Sequence, residues 1–449
     1  MPIETKGSLC YNRYNEKGRG KMRPRNPFNK ICVILHKKRE GKEMKRFKIA
    51  IVGLERGKFV LSMEKAFKEE LEVVAVCENR PSQVEKVRGM NLIRDGIRVY
   101  EDYDEMLAKE ELDAVCLFNY FPEHAPLAIK AMEKGIAVMS DTTAAGSLGE
   151  CVQLAEAYEK YNGKYMLGAN STYGRRSIHV MKKLLDEKKY GDISYADAEY
   201  VHPPISWEPV PGTATLDKEN LHWRQTLPKC YYNMHDLGPL MYATGAMPKR
   251  VTCKAVAAPS RNNRIVNYDS FFVLTEMDNG ATFHSGGCTS TGAMGKWYRI
   301  ACTGGTLETV RYDKHGEQVL ECAGHGDPVT TKYTWSESGI LTPEEEEKYF
   351  GGEQIDKVHN GFDVVLLVHF IRFLRGEEAP YFDVYRALAL SATGILAWYS
   401  ALSESKTLDI PDFRNKEDRD RVRNDFRKPF ARKYTDLSMP CRLGEPFEL

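Results

Sequence analysis

The sequence predicts an α/β protein in two parts: a parallel sheet wrapped by helices, then an α+β domain built on a large, mostly antiparallel sheet. Three observations predict it. From Met44 to about residue 170, short apolar runs alternate with amphipathic segments, the pattern of consecutive βαβ units. Beyond Asn170 the runs lengthen and alternate apolar with polar residues, as strands with one covered face do. Between two such runs lies Asp278-Asn279-Gly280, a hairpin signal because Asn-Gly accepts positive φ at low cost.

Taken in order, Phe47–Val52 is the first strand and stops at Gly53. Leu61, Met63, Ala66 and Phe67 recur at helical spacing and predict a helix over Phe59–Glu70. Leu71–Cys77, Ile97–Tyr100 and Leu112–Phe118 follow as strands. A helix over 123–134 stops at Gly135, and Ile136–Ser140 is the fifth strand. Ser147-Leu148-Gly149-Glu150 reads as a capping box, hydroxyl and carboxylate three apart to satisfy a helix start. That helix is expected to stop at Gly163, before a sixth strand at Tyr165–Leu167. In the second part, strands are expected over Ile193–His202, Arg250–Ala258, Ser270–Met277 and Trp297–Cys302. Pro203–Asn220 is expected to loop over a cleft, and Glu344–Lys348 to be a solvated turn or helix end. Helices on one face of such a sheet leave the other for a second copy, so a homodimer or homotetramer is expected. The divisions are a basic extension over 1–43, a first domain over 44–170, a second over 171–412 and a tail over 413–449. The tail is charged and proline-punctuated, and is expected to wrap a neighbouring subunit.

Composition excludes several classes. The chain has 449 residues, 42% hydrophobic and 28% charged, with a net charge of +1, so neither nucleic acid nor an anionic membrane is an expected partner. Apolar runs such as Val364–Val368 fall far short of the ~20 residues of a membrane span. Eleven cysteines are scattered without CxxC or zinc spacing, and His222, His284 and His359 have no partner at metal spacing. No metal is expected, and free thiols in a reducing, cytoplasmic setting are. Cys77 and Cys116 lie in strands and read as buried thiols. Residues 1–43 hold twelve Lys and Arg against four Glu, a net +8 with little apolar periodicity, which reads as an unstructured leader. Arg39–Met44 can be encoded by a purine-rich run resembling a bacterial ribosome-binding site ahead of an ATG. Met44 is therefore the expected start. Mass spectrometry of the native protein should show that N-terminus, and peptides from residues 1–43 would contradict it.

Chemistry enters at the first turn. A dinucleotide site needs glycines that let backbone approach a pyrophosphate at a helix N-terminus, and an acid about 20 residues on for the ribose. Gly53-Leu54-Glu55-Arg56-Gly57 supplies a shortened turn, and Glu78 stands at the end of the second strand. A Rossmann domain for NAD is expected, since a carboxylate there repels the 2′-phosphate of NADP. Gly53, Leu54, Arg56, Gly57 and Glu78 are its expected contacts. Tyr200-Val201-His202 closes a strand with both rings on one face. Tyr232-Asn233-Met234-His235 is a second tyrosine–histidine pair. The structural alternatives are that His235 caps a helix ending at Gly245 and that Tyr200 and His202 only line a sheet edge.

The run Leu112-Asp-Ala-Val-Cys-Leu-Phe-Asn-Tyr-Phe-Pro-Glu-His124, with Ala125 to Val138 after it, resembles the Gfo/Idh/MocA oxidoreductase family. His359-Asn-Gly-Phe-Asp363, Phe373-Leu-Arg-Gly376, Asp383-Val-Tyr385, Ser400-Ala-Leu-Ser and Ile410-Pro-Asp412 are similar to its C-terminal part. Dehydrogenases of that family carry Glu-Lys-Pro after the fifth strand, with the lysine beside the nicotinamide. Here the triplet is Asp141-Thr142-Thr143. A branch without the lysine, the NAD-dependent α-N-acetylgalactosaminidases of glycoside hydrolase family 109, is matched at Tyr200-Val-His202 and at Tyr232-Asn-Met-His235-Asp-Leu-Gly-Pro239. Trp223-Arg224 and Leu227-Pro228 also fit that branch, whereas its Glu before Asn170 is Ala169 here.

The resemblance implies a sugar or glycoside substrate and catalysis by His235, Tyr232, Tyr200 and His202. It adds Asn119, His124 and Asp141 to the cofactor contacts. Tyr173, Trp223, Arg224 and Asn170 become the expected substrate contacts, with aromatic faces for a sugar ring. Redox-neutral glycoside cleavage through transient C3 oxidation is the leading expectation. An ordinary sugar or polyol dehydrogenase and a non-catalytic nucleotide or sugar sensor are the alternatives.

Overall fold

A computed structural model describes residues 45–202, 227–256, 270–288, 294–351, 358–430, 437–441, 443–444 and 446–449. The basic leader, the Pro203–Asn220 loop, His222, Trp223 and Arg224 lie outside the described residues. Strands β1 (Phe47–Val52), β2 (Leu71–Cys77), β3 (Arg98–Tyr100), β4 (Ala114–Leu117), β5 (Ala137–Ser140) and β6 (Tyr165–Leu167) form one parallel sheet. Their order is β3-β2-β1-β4-β5-β6, a doubly wound sheet whose direction of winding reverses between β1 and β4. β4 and β5 are buried at every position, because helices cover both faces of a parallel sheet and only uninterrupted apolar runs suit it.

The crossover helices are α1 (Leu54–Met63), α2 (Pro81–Gly89), α3 (Tyr103–Lys109), α4 (His124–Glu133) and α5 (Leu148–Lys160). α1 starts at Leu54, earlier than its apolar spacing predicts, because Gly53 ends β1 at φ 85° and the Leu54 N–H finds an acceptor in Glu78. Phe67 lies beyond the helix yet is buried in the turn that follows. Half of the predicted capping box forms. Ser147 Oγ accepts the Glu150 N–H at 3.3 Å, while the Glu150 carboxylate accepts from the Gly146 N–H at 3.0 Å and pairs with Lys428. Asn162, at φ 48°, takes the left-handed turn expected of Gly163.

Helices α6 (Asn170–Tyr173), α7 (Arg176–Asp186) and α8 (Leu237–Thr244) frame the entry to the second sheet. That sheet contains β7 (Ile193–Val201), β8 (Pro248–Val256), β9 (Ser270–Met277), β10 (Thr282–Cys288), β11 (Gly295–Cys302), β12 (Gly305–Thr309), β13 (Gln318–Ala323), β14 (Val329–Lys332) and β15 (Leu408–Asp409). The nine strands run β14-β13-β12-β11-β7-β10-β9-β8-β15, antiparallel except for the β7–β10 pair. The Asn279-Gly280 hairpin forms with Gly280 at φ 84°. β11 begins at Gly295, before its predicted start, and this brings Lys296 into the ladder opposite Tyr200. Helices α9 (Pro343–Phe350), α10 (Phe362–Leu374), α11 (Val384–Leu402) and α12 (Lys416–Val422) complete the chain. The acidic run 344–348 is helical, because Thr342 and Glu345 make a full capping box at the start of α9. α11 is apolar and buried along most of its length and packs on β8, where Ser400 Oγ accepts the Cys253 N–H at 2.9 Å. On β9, buried Phe271 and Val273 alternate with exposed Phe272 and Leu274, so among the described residues nothing covers the outer face of the sheet there.

The tail departs from expectation and packs on its own chain. The Asp425 carbonyl accepts the Gly149 N–H at 2.7 Å. A Cβ at residue 149 would lie 2.8 Å from the Phe426 ring, so glycine permits the approach. Arg419 and Arg423 pair with Glu159 and Glu156 on α5. Phe430 is buried with its ring 5.2 Å from Phe121 and 5.4 Å from Tyr231. Cys77 and Cys116 are buried free thiols, and among the described residues no helix is long and apolar enough to cross a membrane. Truncating a buried phenylalanine costs about 3–5 kcal/mol. Phe430→Ala should therefore lower the thermal midpoint of the apo-protein by several degrees in differential scanning fluorimetry, and an unchanged midpoint would show that the tail is not part of the core.

Candidate active site

The cofactor crevice lies outside the carboxyl ends of β1 and β4, where doubly wound sheets take ligands. Gly53 runs so close to β4 that an added Cβ would sit 2.5 Å from Asn119 Cα and 2.6 Å from the Phe118 carbonyl oxygen. Gly57 lets α1 settle on β1, since a Cβ there would lie 2.4 Å from Ile51 Cγ2. Two glycines thus perform the turn and packing roles of a nucleotide fingerprint. The buried Glu78 carboxylate accepts from the Leu54 N–H at 2.9 Å and the Arg80 N–H at 3.1 Å, and pairs with the Arg80 guanidinium. Leu54 thereby spends its N–H within the protein and has none left for a pyrophosphate. At the end of β4, Asn119 donates to Glu123 at 3.1 Å, and buried His124 Nδ1 donates to the Thr143 carbonyl at 3.0 Å. Asn119 Oδ1 and His124 Nε2 are buried without partners among the described residues. Unsatisfied polar atoms at this position, beside a glycine cradle and an acid at the end of β2, fit a bound NAD. Asp141 is half-buried next to them, and desolvation raises its carboxyl above the usual range against the pull of Arg56 and His124.

Arg56, expected to contact the cofactor, is paired with Asp363. Its guanidinium makes a bidentate pair with Asp363, at 2.8 and 2.6 Å. Asn170 Nδ2 donates to the same carboxylate at 2.9 Å, and His359 Nδ1 bonds it at 2.8 Å. These bonds outweigh burial and hold the Asp363 carboxyl far below its ordinary value. Asn170, expected to contact substrate, is thus tied to Asp363. Tyr173, expected to stack on a sugar, is a core residue: it is 1% exposed, its OH accepts the Phe382 N–H at 3.1 Å and its ring lies 5.0 Å from His369. The tyrosine sits on a short helix whose four residues are all buried, which its sequence context did not show.

The two tyrosine–histidine pairs converge. The Tyr200 ring lies 4.6 Å from His235, 5.7 Å from His202 and 6.2 Å from Tyr232, on which it stacks; Tyr232 and His235 are 5.2 Å apart. His235 does not cap α8. Asp236 does, accepting the Leu237 N–H at 2.6 Å, and burial pushes its carboxyl up to about 7. His235 is fixed by its own carbonyl, which accepts from Tyr298 OH at 2.5 Å, and by Nδ1, 2.8 Å from Ser171 Oγ. Lys296 Nζ donates to the same Ser171 Oγ at 2.9 Å and stands 5.2 Å from the Tyr200 ring centroid. Burial and nearby Arg175 lower the Lys296 ammonium to about 7. Burial first, then Lys296 and His202, drives His235 well below its ordinary value. Thr142 Oγ1 is 3.1 Å from Met234 Sδ, so the position that bears lysine in the resembling dehydrogenases adjoins the His235 turn. Ser171, Lys296 and Asp363 were not foreseen. The signal for Lys296 was its phase, two residues before inward-facing Tyr298.

Together, the fold and this site define an NAD-dependent enzyme of the oxidoreductase class. More particularly, residues 47–169 match the GFO_IDH_MocA model, described as an oxidoreductase family with an NAD-binding Rossmann fold. A glycosyl hydrolase family 109 protein of Shewanella sp. strain MR-4 is 24% identical over 380 residues, covering 77% of this chain and 80% of that protein. Among solved structures, a levoglucosan dehydrogenase in complex with NADH and levoglucosan shares the fold, with a TM-score of 0.65, 13% identity, and 82% of this chain and 100% of that one covered. An Agrobacterium radiobacter oxidoreductase in complex with NAD+, L-tartaric acid and magnesium also shares it, with a TM-score of 0.61, 17% identity, and 81% and 98% covered. A hydrogen bond to a charged group is worth about 1.5–3 kcal/mol. Glu78→Ala, which removes both the acid and its hold on the first turn, should therefore weaken NAD binding roughly tenfold or more and narrow the preference over NADP in calorimetric titration. Unchanged affinity for both would dismiss Glu78 as a determinant.

Proposed function

We propose that the chain acts on a sugar or glycoside by transiently oxidising a ring hydroxyl, and that it cleaves a glycoside without net change in its coenzyme. The observation that carries this reading is the convergence of Tyr200, His202, Tyr232 and His235 on one cluster adjoining Thr142, with no lysine at that position. Bound NAD supplies a hydride acceptor, and Gly53, Gly57, Glu78, Asn119 and His124 are the groups that would hold it. His235 and Tyr232 take the hydroxyl proton, a role for which His and Tyr are suited. With Nδ1 taken by Ser171, Nε2 is the His235 nitrogen left to meet that hydroxyl. Once C3 is a ketone, the adjacent C2 proton is acidic. Tyr200 and His202 are assigned to remove it, so that the bond to the aglycone breaks by elimination; water then adds across C1 and C2, and return of the hydride to C3 would restore the hydroxyl and the coenzyme. The likeness to a glycosyl hydrolase family 109 protein favours cleavage as the outcome.

A second reading, net oxidation of a free sugar, is favoured by Ala169, which removes the acid expected beside Asn170. Nitrophenyl glycosides, N-acetylgalactosaminide among them, separate the two when incubated with protein and NAD. Release of nitrophenol with flat absorbance at the NADH band is the expected result. General acid–base groups contribute about 10²–10⁴-fold, and His235→Ala or Tyr232→Phe should slow release by that order. NADH accumulation with a free sugar would replace cleavage by dehydrogenation. No turnover and no NAD binding would leave a sensor.

The uncovered outer face is assigned to a homodimer contact, since Phe272 and Leu274 are 54% and 49% exposed on one sheet face. Light scattering should give a dimer mass or a multiple of it, and Phe272→Asp with Leu274→Asp should give a monomer. A monomeric parent protein would end this assignment. The free thiols suit a reducing, cytoplasmic setting.

A further inference from the structure

We propose that Lys296 is the proton reservoir of the site, exchanging a proton with His235 through the Ser171 hydroxyl. The proposal rests on the reading of His235 as the group that meets the substrate hydroxyl, and it concerns where that proton goes next. The geometry is a continuous chain. Lys296 Nζ lies 2.9 Å from Ser171 Oγ, and that oxygen lies 2.8 Å from His235 Nδ1. Ser171 is wholly buried on α6, and its hydroxyl has these two partners in line. Three elements distant in sequence, β11, α6 and the turn before α8, supply one group each.

A serine hydroxyl has one proton to donate and lone pairs to accept, which gives the chain two states. In the first, the Lys296 ammonium donates to Ser171 Oγ and the Ser171 O–H donates to Nδ1. His235 is then neutral with its proton on Nε2, ready to give it. In the second, Nδ1–H donates to Ser171 Oγ and the Ser171 O–H donates to the neutral Lys296 amine. His235 Nε2 then carries a lone pair, ready to receive. When Nε2 takes a proton from a substrate hydroxyl, Nδ1 passes its proton to Ser171 and Ser171 passes its own to Lys296. One O–H bond on the substrate breaks, one N–H bond on lysine forms, and imidazole ends neutral. No further reactant is needed.

The surroundings explain why a reservoir is required. His235 is buried among Lys296, His202, His359 and Arg56, all of which oppose an imidazolium. It cannot keep the proton it takes. Lys296 is faced by Tyr200 from β7, His235 from the turn, Arg175 from the segment after α6 and Asp363 from α10. Arg175 and desolvation oppose its charge while Asp363 favours it, and the balance places its ammonium near 7, where acid and base forms are both populated at neutral pH.

The states differ in tautomer, which can be read without substrate or coenzyme. In protein labelled with [15N]histidine, the His235 ring signals are assigned by their loss in His235→Gln. The expected result is a switch from Nε2–H at low pH to Nδ1–H at high pH, with a midpoint near 7 and no imidazolium. Lys296→Arg keeps the charge but cannot give up its proton, and should hold Nε2–H across the range. Ser171→Ala should abolish the coupling. Titration of His235 to imidazolium, a tautomer independent of pH in the parent, or a switch that survives Lys296→Arg would each overturn the proposal. Because no glycoside is involved, such a result would leave the substrate reading standing, and absence of glycoside turnover would leave the relay standing.

Discussion

The Asp363 carboxylate holds the two halves of the site in register. It lies in the first turn of α10, where the helix dipole favours a negative charge. It receives two bonds from Arg56 on α1, one from Asn170 on α6 and one from His359. A charge buried so deeply is tolerable only when its oxygens are satisfied, and removing one partner of such a pair costs about 3–5 kcal/mol. The consequence reaches beyond stability. α1 forms the floor of the nucleotide crevice and α6 carries Ser171 next to Asn170. Through Asp363 the nucleotide turn and the relay hydroxyl are fixed to a single point.

Around that point the charges are unequal. Arg56, Arg175 and Lys296 gather near His235, with Asp363 the fully ionised carboxylate among them. Arg175 is 3% exposed, lies over the Tyr298 and Phe362 rings, and leaves Nε and Nη1 without partners among the described residues. A cationic pocket opposes an imidazolium and, in the proposed reaction, would stabilise an oxyanion or enolate. Chemistry that begins by ionising a hydroxyl and continues by removing a carbon-bound proton develops negative charge at both stages. The same field that denies His235 a proton lowers the cost of those anions.

Much of the fold was legible because burial dictates it. Runs such as Ala114–Leu117 have no polar residue to place outside, so a two-sided parallel sheet follows from them. Asn279-Gly280 fixes a hairpin by backbone preference alone. Helix limits were less legible where a distant side chain sets them. α1 begins at Leu54 because Glu78, a strand away, accepts its N–H. At the site, the tyrosine–histidine pairs were visible as spaced residues of one chemical type. Tyr173 was misjudged because an aromatic ring reads the same in a cleft or in a core, and only the Phe382 N–H and the His369 ring decide between them. Ser171 and Lys296 acquire their role from each other across 125 residues of sequence, and no local pattern encodes such a meeting.

The energetics of Lys296 argue that it is kept for its chemistry. Its ordinary value is 10.5 and the folded protein brings it to about 7. Between those limits the unfolded chain binds more protons than the folded one, so stability rises with pH across that window and the full penalty stands below it. At neutral pH the residue works against folding. Nothing in the packing asks for an amine there, since Ser171 Oγ already has His235 Nδ1 as a partner, and a methionine of similar length would fill the space without the desolvation cost. A partly buried amine that costs stability and has its ammonium lowered to about 7 is the kind of group that functional sites collect, which is the physical ground for the role proposed for Lys296.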